Sequence, residues 1–471
     1  TLVEEQATRV LNGGSLRFGS ITVEVGRDLH PLVRMTGTVL ADAEGVVVAR
    51  VPAIAAQLSP RGLLLRREVL PQRITLTGAQ ITLRRSKDGS VALAFEAAAP
   101  AAQEAASPAA LLAQLGATFN RPVLEAMERV RAEGLVVNYD DARAGRAWTV
   151  DGGTLELNLD GEELHLSGAL ALLSGRAFIT TIDLDLLSDR ETGETDVNVA
   201  IQDALAADIA TQSPALSWLG LLDAQLSAQL TGRIDVGGVV GPLQAALQIG
   251  GGALRPTPQA TPVGFDEMQV ALRYDPAAGQ VGFEDLRVVS DWGTIEGDGQ
   301  AYMREITDGW PGALLGQFNL HRIALDPAGL YDEPVTLSEA SAEFRLRLDP
   351  FAVDIGVISV TDTDTEGQLS RLEASGRIGA SDEGWEVALD AGLDRISMTR
   401  LMVLWPRSFR PGMRQWLETN IPRATLLGTS AGLRFGPKHD GRVWALNLRF
   451  EDTVATVLQS LPALQGASGM L

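Results

Sequence analysis

The sequence predicts a mainly β protein, with one long, mostly antiparallel sheet and a few short amphipathic helices. The main observation is a two-residue alternation of apolar and polar side chains, which places every second side chain on one sheet face. Turn signals such as Asp88-Gly89, Gly152-Gly153 and Asp440-Gly441 separate the alternating runs, as expected for successive hairpins. Aromatic residues make up 5% of the chain, so the predicted apolar face is aliphatic.

Alternating runs occur along the whole chain, and each predicts one strand. The clearest are Ile21–Val25, Ile74–Thr77, Ile81–Leu83, Leu155–Leu159, Ile182–Leu186, Val197–Val199, Met268–Leu272, Phe344–Leu348, Trp385–Leu389 and Trp444–Phe450. An apolar-x-Gly-x-apolar motif recurs at irregular spacing around Gly37, Gly168, Gly232 and Gly376. Glycine inside a strand usually marks a bulge or bend, so the motif predicts a sheet that curves repeatedly.

Helical signals begin with an Ala/Pro-rich stretch at 97–110, which we interpret as a linker. Near its end, Ser107 is suited to cap a helix and Pro108 to occupy its first position. A second start at Asn120 leads into apolar residues at helical spacing, which predict an amphipathic helix that continues until Gly134.

Three further helices are predicted, one after Ser213-Pro214 and two at 397–404 and 411–420, on either side of Trp405-Pro406. We expect their apolar stripes to serve packing. The chain is therefore divided into an N-terminal β module (1–96), a linker with an amphipathic helix (97–133) and an extended β region (134–471).

Composition and charge exclude several classes of function. Lys and Arg number 39 against 60 Asp and Glu, which gives a net charge of −21 and disfavours nucleic acid as a partner. Cys is absent, which excludes disulfides, thiol nucleophiles and Cys-ligated metals. No apolar run reaches the ~18 residues of a membrane span. The chain begins with Thr1 and ends where a further strand is expected, so we expect it to be cut from a longer protein.

The sequence contains no convincing catalytic motif. The four histidines are scattered without partners at ligand spacing: His30, His165, His321 and His439. Gly428–Gly432 matches the G-x-S-x-G pattern of a hydrolase nucleophile elbow, which needs a helix after the serine. An alternating run follows instead, so we expect this serine to lie in a strand.

One acidic segment matches the ligand spacing of an EF-hand calcium loop. The matching positions are Asp362, Asp364, Glu366, Gly367, Leu369 and Glu373. The motif requires flanking helices, whereas the residues at 353–360 and 372–378 read as strands. We therefore expect an acidic hairpin turn here and no metal site.

A long sheet with one aliphatic face can bury that face in two ways. Two sheets can close on each other as a sandwich, or one curved sheet can leave its apolar face as an open groove. Composition does not decide between them.

Two parts of the chain, residues 1–95 and about 380–471, resemble the AsmA-like superfamily, in particular its YhdP-type branch of large Gram-negative envelope proteins. The N-terminal similarity rests on Val51-Pro52, Leu58, Pro71–Ile74, Leu76–Gly78, Ile81–Arg85 and Asp88-Gly89. The C-terminal similarity rests on Leu404–Pro406, Arg414–Leu417, Asn420-Ile421, Leu461–Leu464 and Gly466. Ala424 departs from the pattern, because the family has a glycine there.

This resemblance implies a curved sheet that forms an elongated apolar groove and helps phospholipid cross the periplasm. It also implies an inner-membrane helix outside the present sequence, an unknown partner at the outer membrane, no cofactor and no enzymatic activity. The groove residues are then the apolar members of the alternating runs. They are Leu155, Leu157, Leu159, Ile182, Leu184, Leu186, Met268, Val270, Leu272, Phe344, Leu346, Leu348, Val387, Leu389, Leu446 and Leu448.

Two alternatives stay open. Related AsmA-like and TamB-like proteins suggest a scaffold or chaperone for outer-membrane protein assembly, in which a sheet edge holds unfolded strands. The other alternative is an envelope enzyme or a closed β-sandwich that binds glycans. Rows of exposed Trp or Tyr are typical of glycan binders, whereas the eight Trp of this chain are spread singly.

Overall fold

The computed structural model describes residues 15–26, 29–41, 47–88, 90–94, 103–105, 124–161, 163–173, 178–189, 191–235, 240–327, 330–331, 334–337, 339–363, 367–437, 443–456 and 462–470. Strands account for 69% of the structure. Within the described residues, 27 strands belong to one large mixed sheet that is not closed, and three form a small second sheet. The prediction of a mainly β protein with few short helices is confirmed.

The first strands in chain order are β1 Ser15–Arg17, β2 Ser20–Val25, β3 Pro31–Ala41, β4 Val47–Leu58, β5 Pro71–Thr77, β6 Gln80–Arg85, β7 Val91–Ala94, β8 Gln103–Ala105, β9 Arg129–Asp141, β10 Arg146–Asp160, β11 Glu163–Leu173, β12 Thr180–Asp189, β13 Thr195–Leu205, β14 Leu222–Asp223 and β15 Gln225–Ile234. The later strands are β16 Val240–Ile249, β17 Gly252–Leu254, β18 Val263–Phe265, β19 Glu267–Asp275, β20 Gln280–Ser290, β21 Gly293–Thr307, β22 Trp310–Leu325, β23 Val335–Leu337, β24 Glu339–Arg347, β25 Ala352–Thr363, β26 Leu369–Ser381, β27 Gly384–Ser397, β28 Arg423–Phe435, β29 Val443–Ala455 and β30 Leu464–Met470.

The helical elements are short. They are a π-helical turn Gly62–Arg66, helix α1 Ala206–Ala210, a 3-10 helix Pro214–Leu221, helix α2 Met398–Leu404 and helix α3 Pro411–Asn420. The chain divides into two compact units, of which the first comprises residues 1–204 and 227–245 and the second residues 205–226 and 246–471.

In the first unit, strands β2 to β5 pair antiparallel in chain order, and so do β9 to β13. The exception to the antiparallel pattern is β9, which runs parallel to β5 through residues 129–133 and parallel to β6 through residues 136–141. A parallel partner requires a long connection between the strands. Residues 78–128, which contain β6, β7 and β8, provide it.

The core of the first unit lies where β3, β4, β6 and β9 meet. Its fully buried centre is Leu135, surrounded by Val33, Met35, Val51, Ile54, Leu58 and Ala79. At the end of β9, Asp141 is completely buried and forms an ion pair with Arg85 at 3.4 Å. The Tyr139 hydroxyl donates to the same carboxylate at 3.1 Å, and its ring stacks on Trp148.

In the second unit, strands β19 to β22 pair in chain order and β22 continues to β24. Strands β24 to β30 then follow as an antiparallel meander. Helix α1 and the 3-10 helix pack on each other, and the 3-10 helix packs against β22. They bury Ile209, Leu216 and Leu219, and the strand residues Val270, Leu272 and Val281 are buried too.

The structure confirms three of the predicted helices and corrects one. The 3-10 helix after Ser213-Pro214, α2 and α3 lie where they were predicted. The amphipathic helix predicted from Asn120 to Gly134 is wrong, because β9 begins at Arg129 and residues 124–128 form only a turn. Val130 and Ala132 also alternate with charged neighbours, and pairing with β5 and β10 on both sides favours the strand.

Other predictions fall in or beside these elements. The helix start at Ser107-Pro108 lies outside the described residues, and part of the stretch interpreted as a linker forms β8. The G-x-S-x-G segment lies inside β28, as expected. Of the acidic segment, Asp362 lies in β25 and Glu373 in β26, and these strands pair antiparallel, which confirms strands on both sides of the connection. Asp364 and Glu366 lie outside the described residues.

Candidate functional site

One face of the first unit is a continuous apolar surface formed by cross-strand partners. Two neighbouring rows cross nine strands, β2 to β5 and β9 to β13, and every member is apolar or glycine. The first row is Val23, Val33, Ala56, Ile74, Val130, Leu157, Leu166, Leu186 and Val197; the second is Ile21, Met35, Ile54, Leu76, Ala132, Leu155, Gly168, Leu184 and Val199. We call these rows the first apolar face.

The exposure of the first apolar face changes along the sheet. Val33, Met35 and Ile54 are buried in the core, whereas the members in β10 to β13 are half-buried although they lie in mid-strand. A packed second sheet would bury such positions. The part of the face in β10 to β13 therefore remains accessible.

The opposite face of the same strands is polar and carries cross-strand ion pairs. Glu156 pairs with Arg129 at 3.4 Å and with Arg131 at 3.5 Å, and His165 approaches Asp185 at 2.6 Å. Water solvates this face, so it needs no covering layer. The alternation in the sequence thus separates one solvated and one apolar side.

The second unit has an equivalent apolar face, which runs from β20 to β29 and is called the second apolar face. One row is Phe283, Gly299, Phe318, Ala342, Ile358, Ala374, Ala391, Ala431 and Leu446. The neighbouring row is Val281, Ala301, Gly316, Phe344, Ile355, Gly376, Leu389, Leu433 and Trp444.

An aromatic ladder lies at the beginning of the second apolar face. The ring of Trp218 in the 3-10 helix lies 5.9 Å from Phe283, which is followed by Phe318 at 5.2 Å and Phe344 at 5.7 Å. Glycine makes room for these rings, since a Cβ on Gly299 would lie 2.5 Å from Phe318 Cδ1. Trp218 contacts Phe283, the cross-strand partner of Leu272. Val270 and Leu272, predicted as groove residues, are buried and belong to a packed core.

Farther along the second apolar face, the segment that joins α2 to α3 covers a cavity of about 970 Å³. Residues 405–413, which are this segment and the first three residues of α3, are called the roof. Three cross-strand partners, Ala374, Ala391 and Ala431, line the sheet side of the cavity. Because alanine ends at Cβ, the sheet surface is depressed at these positions. The remaining lining residues are Leu389, Trp405, Phe409, Arg410, Pro411, Gly412, Met413, Gly432, Leu433, Trp444, Ala445 and Leu446.

Hydrogen bonds at both ends fix the roof. Before it, Arg400 in α2 makes a two-point ion pair with Asp362 at 2.6 and 2.9 Å and also donates to the Thr336 carbonyl at 3.1 Å. Within the roof, the Trp405 indole N–H donates to the Phe409 carbonyl at 2.7 Å. After it, Arg414 Nη1 donates to the Trp405 carbonyl at 2.9 Å. The cavity is therefore held open by a fixed segment.

The structure places the predicted groove residues in several environments. Those in β10 and β12 line the accessible part of the first apolar face: Leu155, Leu157, Leu159, Ile182, Leu184 and Leu186. Phe344 and Leu389 belong to the second apolar face. Leu346 and Val387 lie two residues farther along the same strands, and Leu348 directly follows β24. Met268 is half-buried next to the packed core, and Leu446 lines the cavity while Leu448 is half-buried beyond it.

Sequence reasoning missed the roof and the alanine floor. The sequence predicts helices on either side of Trp405-Pro406, but it predicts only a packing role for their apolar residues. In α3, Met413 and Trp416 are each 52% exposed, so they pack on little of the protein itself. The sequence signal that could have indicated a binding surface is the presence of large apolar residues, Met413 and Trp416, in a short and otherwise largely polar helix.

Comparison with known proteins finds no matching family model, no matching curated protein and no matching solved structure. In the described part of the chain, no helix is both long and apolar enough to cross a bilayer. Across the same residues, no group of three or more His, Asp or Glu side chains is arranged to hold a metal ion.

Proposed function

We propose that this chain is a segment of a lipid-transfer protein whose apolar sheet faces hold phospholipid acyl chains as they move between membranes. The observation that carries the proposal is the first apolar face, where in-register apolar rows stay half-exposed across β10 to β13. Large exposed apolar surfaces on a folded protein typically mark contacts with lipid or with another protein.

The energetics favour this role. Each methylene that leaves a bilayer for water costs about 0.8 kcal/mol, so a chain of about 15 methylenes costs on the order of 12 kcal/mol. A continuous apolar lane removes most of that cost, because the chain exchanges lipid neighbours for leucine, isoleucine and valine. Passive conduction of this kind uses no nucleotide, metal or catalytic side chain.

The resemblance to the AsmA-like superfamily supplies the cellular context of the proposal. It supports a periplasmic location, anchorage in the inner membrane through a helix outside this sequence, and delivery towards the outer membrane. The strongly acidic composition agrees with a surface that is not drawn to anionic headgroups except at local cations.

The first test is whether the purified protein carries amphiphiles. Native mass spectrometry of protein released gently from membranes should detect bound phospholipid or detergent. Protein without any bound amphiphile would contradict the proposal and favour one of the alternatives that do not involve lipid.

The second test distinguishes the two sides of the sheet. A photo-crosslinking amino acid at Ile182 should form adducts with phospholipid in cells, whereas one at Thr181 should not, because Thr181 lies on the polar side. Ile182→Asp and Leu446→Asp should reduce lipid transfer by the full-length protein, since an unpaired carboxylate is costly to desolvate. Thr181→Asp and Asn447→Asp are the matched controls.

Circular dichroism and immunoblotting should show that all four variants are folded and equally abundant. If the apolar-side variants transfer lipid as well as the controls, these faces do not conduct lipid. Crosslinks from Ile182 to unfolded outer-membrane proteins instead of lipid would favour the scaffold alternative.

A further inference from the structure

The cavity beneath the roof differs from the rest of the apolar faces because it contains one charged side chain. Of its lining residues, Arg410 alone is ionisable. Its guanidinium lies 5.9 Å from the centre of the Trp444 ring, in a cation-π arrangement. Since Arg410 lines the cavity and is exposed, the charge lies where the cavity meets solvent.

Three arginines near the cavity are neutralised by carboxylates, and Arg410 differs from them. Arg400 pairs with Asp362, Arg414 with Glu418, and Arg434 with Asp390. Among the described residues, no carboxylate lies within ion-pair distance of Arg410. In a chain of net charge −21, an arginine without a carboxylate is a local exception that attracts anions.

The backbone at Arg410 is also unusual. Its φ of 49° and ψ of 56° lie in the left-handed region, which favours glycine or asparagine. The position directly precedes Pro411, the first residue of α3. Arg410 is one of eight described non-glycine residues with a positive φ, and backbone conformations of this kind are common at ligand sites.

We propose that this cavity binds one acyl chain of a phosphate-bearing lipid while Arg410 binds the phosphate. The inference rests on the proposed function and narrows it, because it assigns the lipid phosphate to one side chain and one acyl chain to one cavity. The volume of about 970 Å³ lies near the upper end of the roughly 300–1,000 Å³ typical of small-ligand sites. The floor and the roof of the cavity are apolar and suit an acyl chain. Arg410 lies at the solvent edge and suits a charged headgroup.

The test uses three probes that separate the chain from the phosphate. Palmitoyl lysophosphatidate has both parts, monopalmitoylglycerol has the same chain without the phosphate, and glycerol 3-phosphate has the phosphate without the chain. Delipidated protein should bind lysophosphatidate about tenfold more tightly than monopalmitoylglycerol, as measured by calorimetry below the micellar concentration. Glycerol 3-phosphate should show no binding, because a single surface arginine holds free phosphate weakly.

Two variants test the two parts of the site. Arg410→Gln should weaken lysophosphatidate binding about tenfold and leave monopalmitoylglycerol unchanged. Its control is Arg371→Gln, which removes the same charge from the polar side of β26. Ala431→Phe should weaken both lipids by filling the cavity; Ala431 is exposed, so the strand can accept the larger side chain. Ser430→Phe, on the polar side of the same strand, is its control.

The outcomes separate this inference from the proposed function. If lysophosphatidate binds but Arg410→Gln leaves the preference for phosphate unchanged, the headgroup assignment is wrong while lipid binding stands. If Ala431→Phe leaves both affinities unchanged, the lipid binds elsewhere and the cavity is not the site. If neither lipid binds and no crosslinks form at Ile182, the proposed function itself fails. Binding of glycerol 3-phosphate as tight as lysophosphatidate would identify a free-phosphate site instead.

Discussion

The ion pair between Arg400 and Asp362 should dominate the local stability of α2 and the roof. Arg400 is 17% exposed and Asp362 10% exposed, and the two side chains share two hydrogen bonds at 2.6 and 2.9 Å. Asp362→Asn keeps the shape but removes the charge, so the guanidinium stays nearly buried without its counter-ion. Breaking one partner of a buried pair costs about 3–5 kcal/mol. Since Arg400 also donates to the Thr336 carbonyl, we expect the lower end of that range, about 3 kcal/mol.

The second unit contains a matched control for this prediction. Arg434 and Asp390 also form an ion pair with two hydrogen bonds, in which Arg434 Nη2 donates to both carboxylate oxygens at 2.8 Å, but their side chains are 37% and 64% exposed. Solvent screens such a pair, and Asp390→Asn should cost less than about 1 kcal/mol. Both variants are the same Asp→Asn change in an Arg–Asp pair, so the larger cost expected at Asp362 reflects its burial and its donation from two arginine nitrogens instead of one.

Urea unfolding followed by tryptophan fluorescence measures both variants, and a double-mutant cycle with Arg400→Met isolates the pair. Hydrogen exchange should show faster exchange in α2 for Asp362→Asn and no change there for Asp390→Asn. If Asp362→Asn costs no more than Asp390→Asn, or if the cycle shows no coupling, burial does not strengthen this pair and the reasoning is wrong.

Two further predictions concern packing and pH. Gly299→Ala should destabilise the second unit by about 1–3 kcal/mol, because the new Cβ would lie 2.5 Å from the Phe318 ring, whereas Gly392→Ala has open space and should be nearly neutral in urea unfolding. Burial, with a neighbouring carboxylate as the second cause, raises the pKa of Tyr139 from 10.0 to about 12. The folded state thus keeps a proton that the unfolded state loses, and stability should fall as the pH rises from 10 to 12. Tyr139→Phe should remove that part of the decline in unfolding experiments at stepped pH; an unchanged decline would show that Tyr139 does not cause it.

Much of the fold is encoded locally. Alternation with a period of two residues depends only on neighbouring side chains, so the runs at Leu155–Leu159 and Ile182–Leu186 predict both a strand and its apolar side. Short helices with clear starts, such as α3 after its proline, are predictable for the same reason. The segment at 124–133 is the counterexample. Its apolar side chains fit both a helical period and the two-residue period of a strand, and pairing with β5 and β10 makes residues 129–133 a strand.

The candidate site is predictable only in part. The predicted leucines do line the two apolar faces, but Val270 and Leu272 have the same pattern and are buried. Trp218 of the 3-10 helix contacts Phe283, the cross-strand partner of Leu272. Local alternation cannot tell a covered strand from an uncovered one, because the cover comes from a distant part of the chain.

The sequence by itself determined that this protein is built from strands with one aliphatic side, that its surface is acidic, and that it lacks cysteine chemistry. Only the tertiary structure decided that those sides join in register across many strands, that β5 and β9 run parallel, and that Ala374, Ala391 and Ala431 meet beneath a roof beside Arg410. The physical reason is the sequence separation of the residues that interact. Strand formation follows from adjacent side chains, whereas register, cover and cavities depend on which distant segments meet, and many pairings satisfy the same alternation.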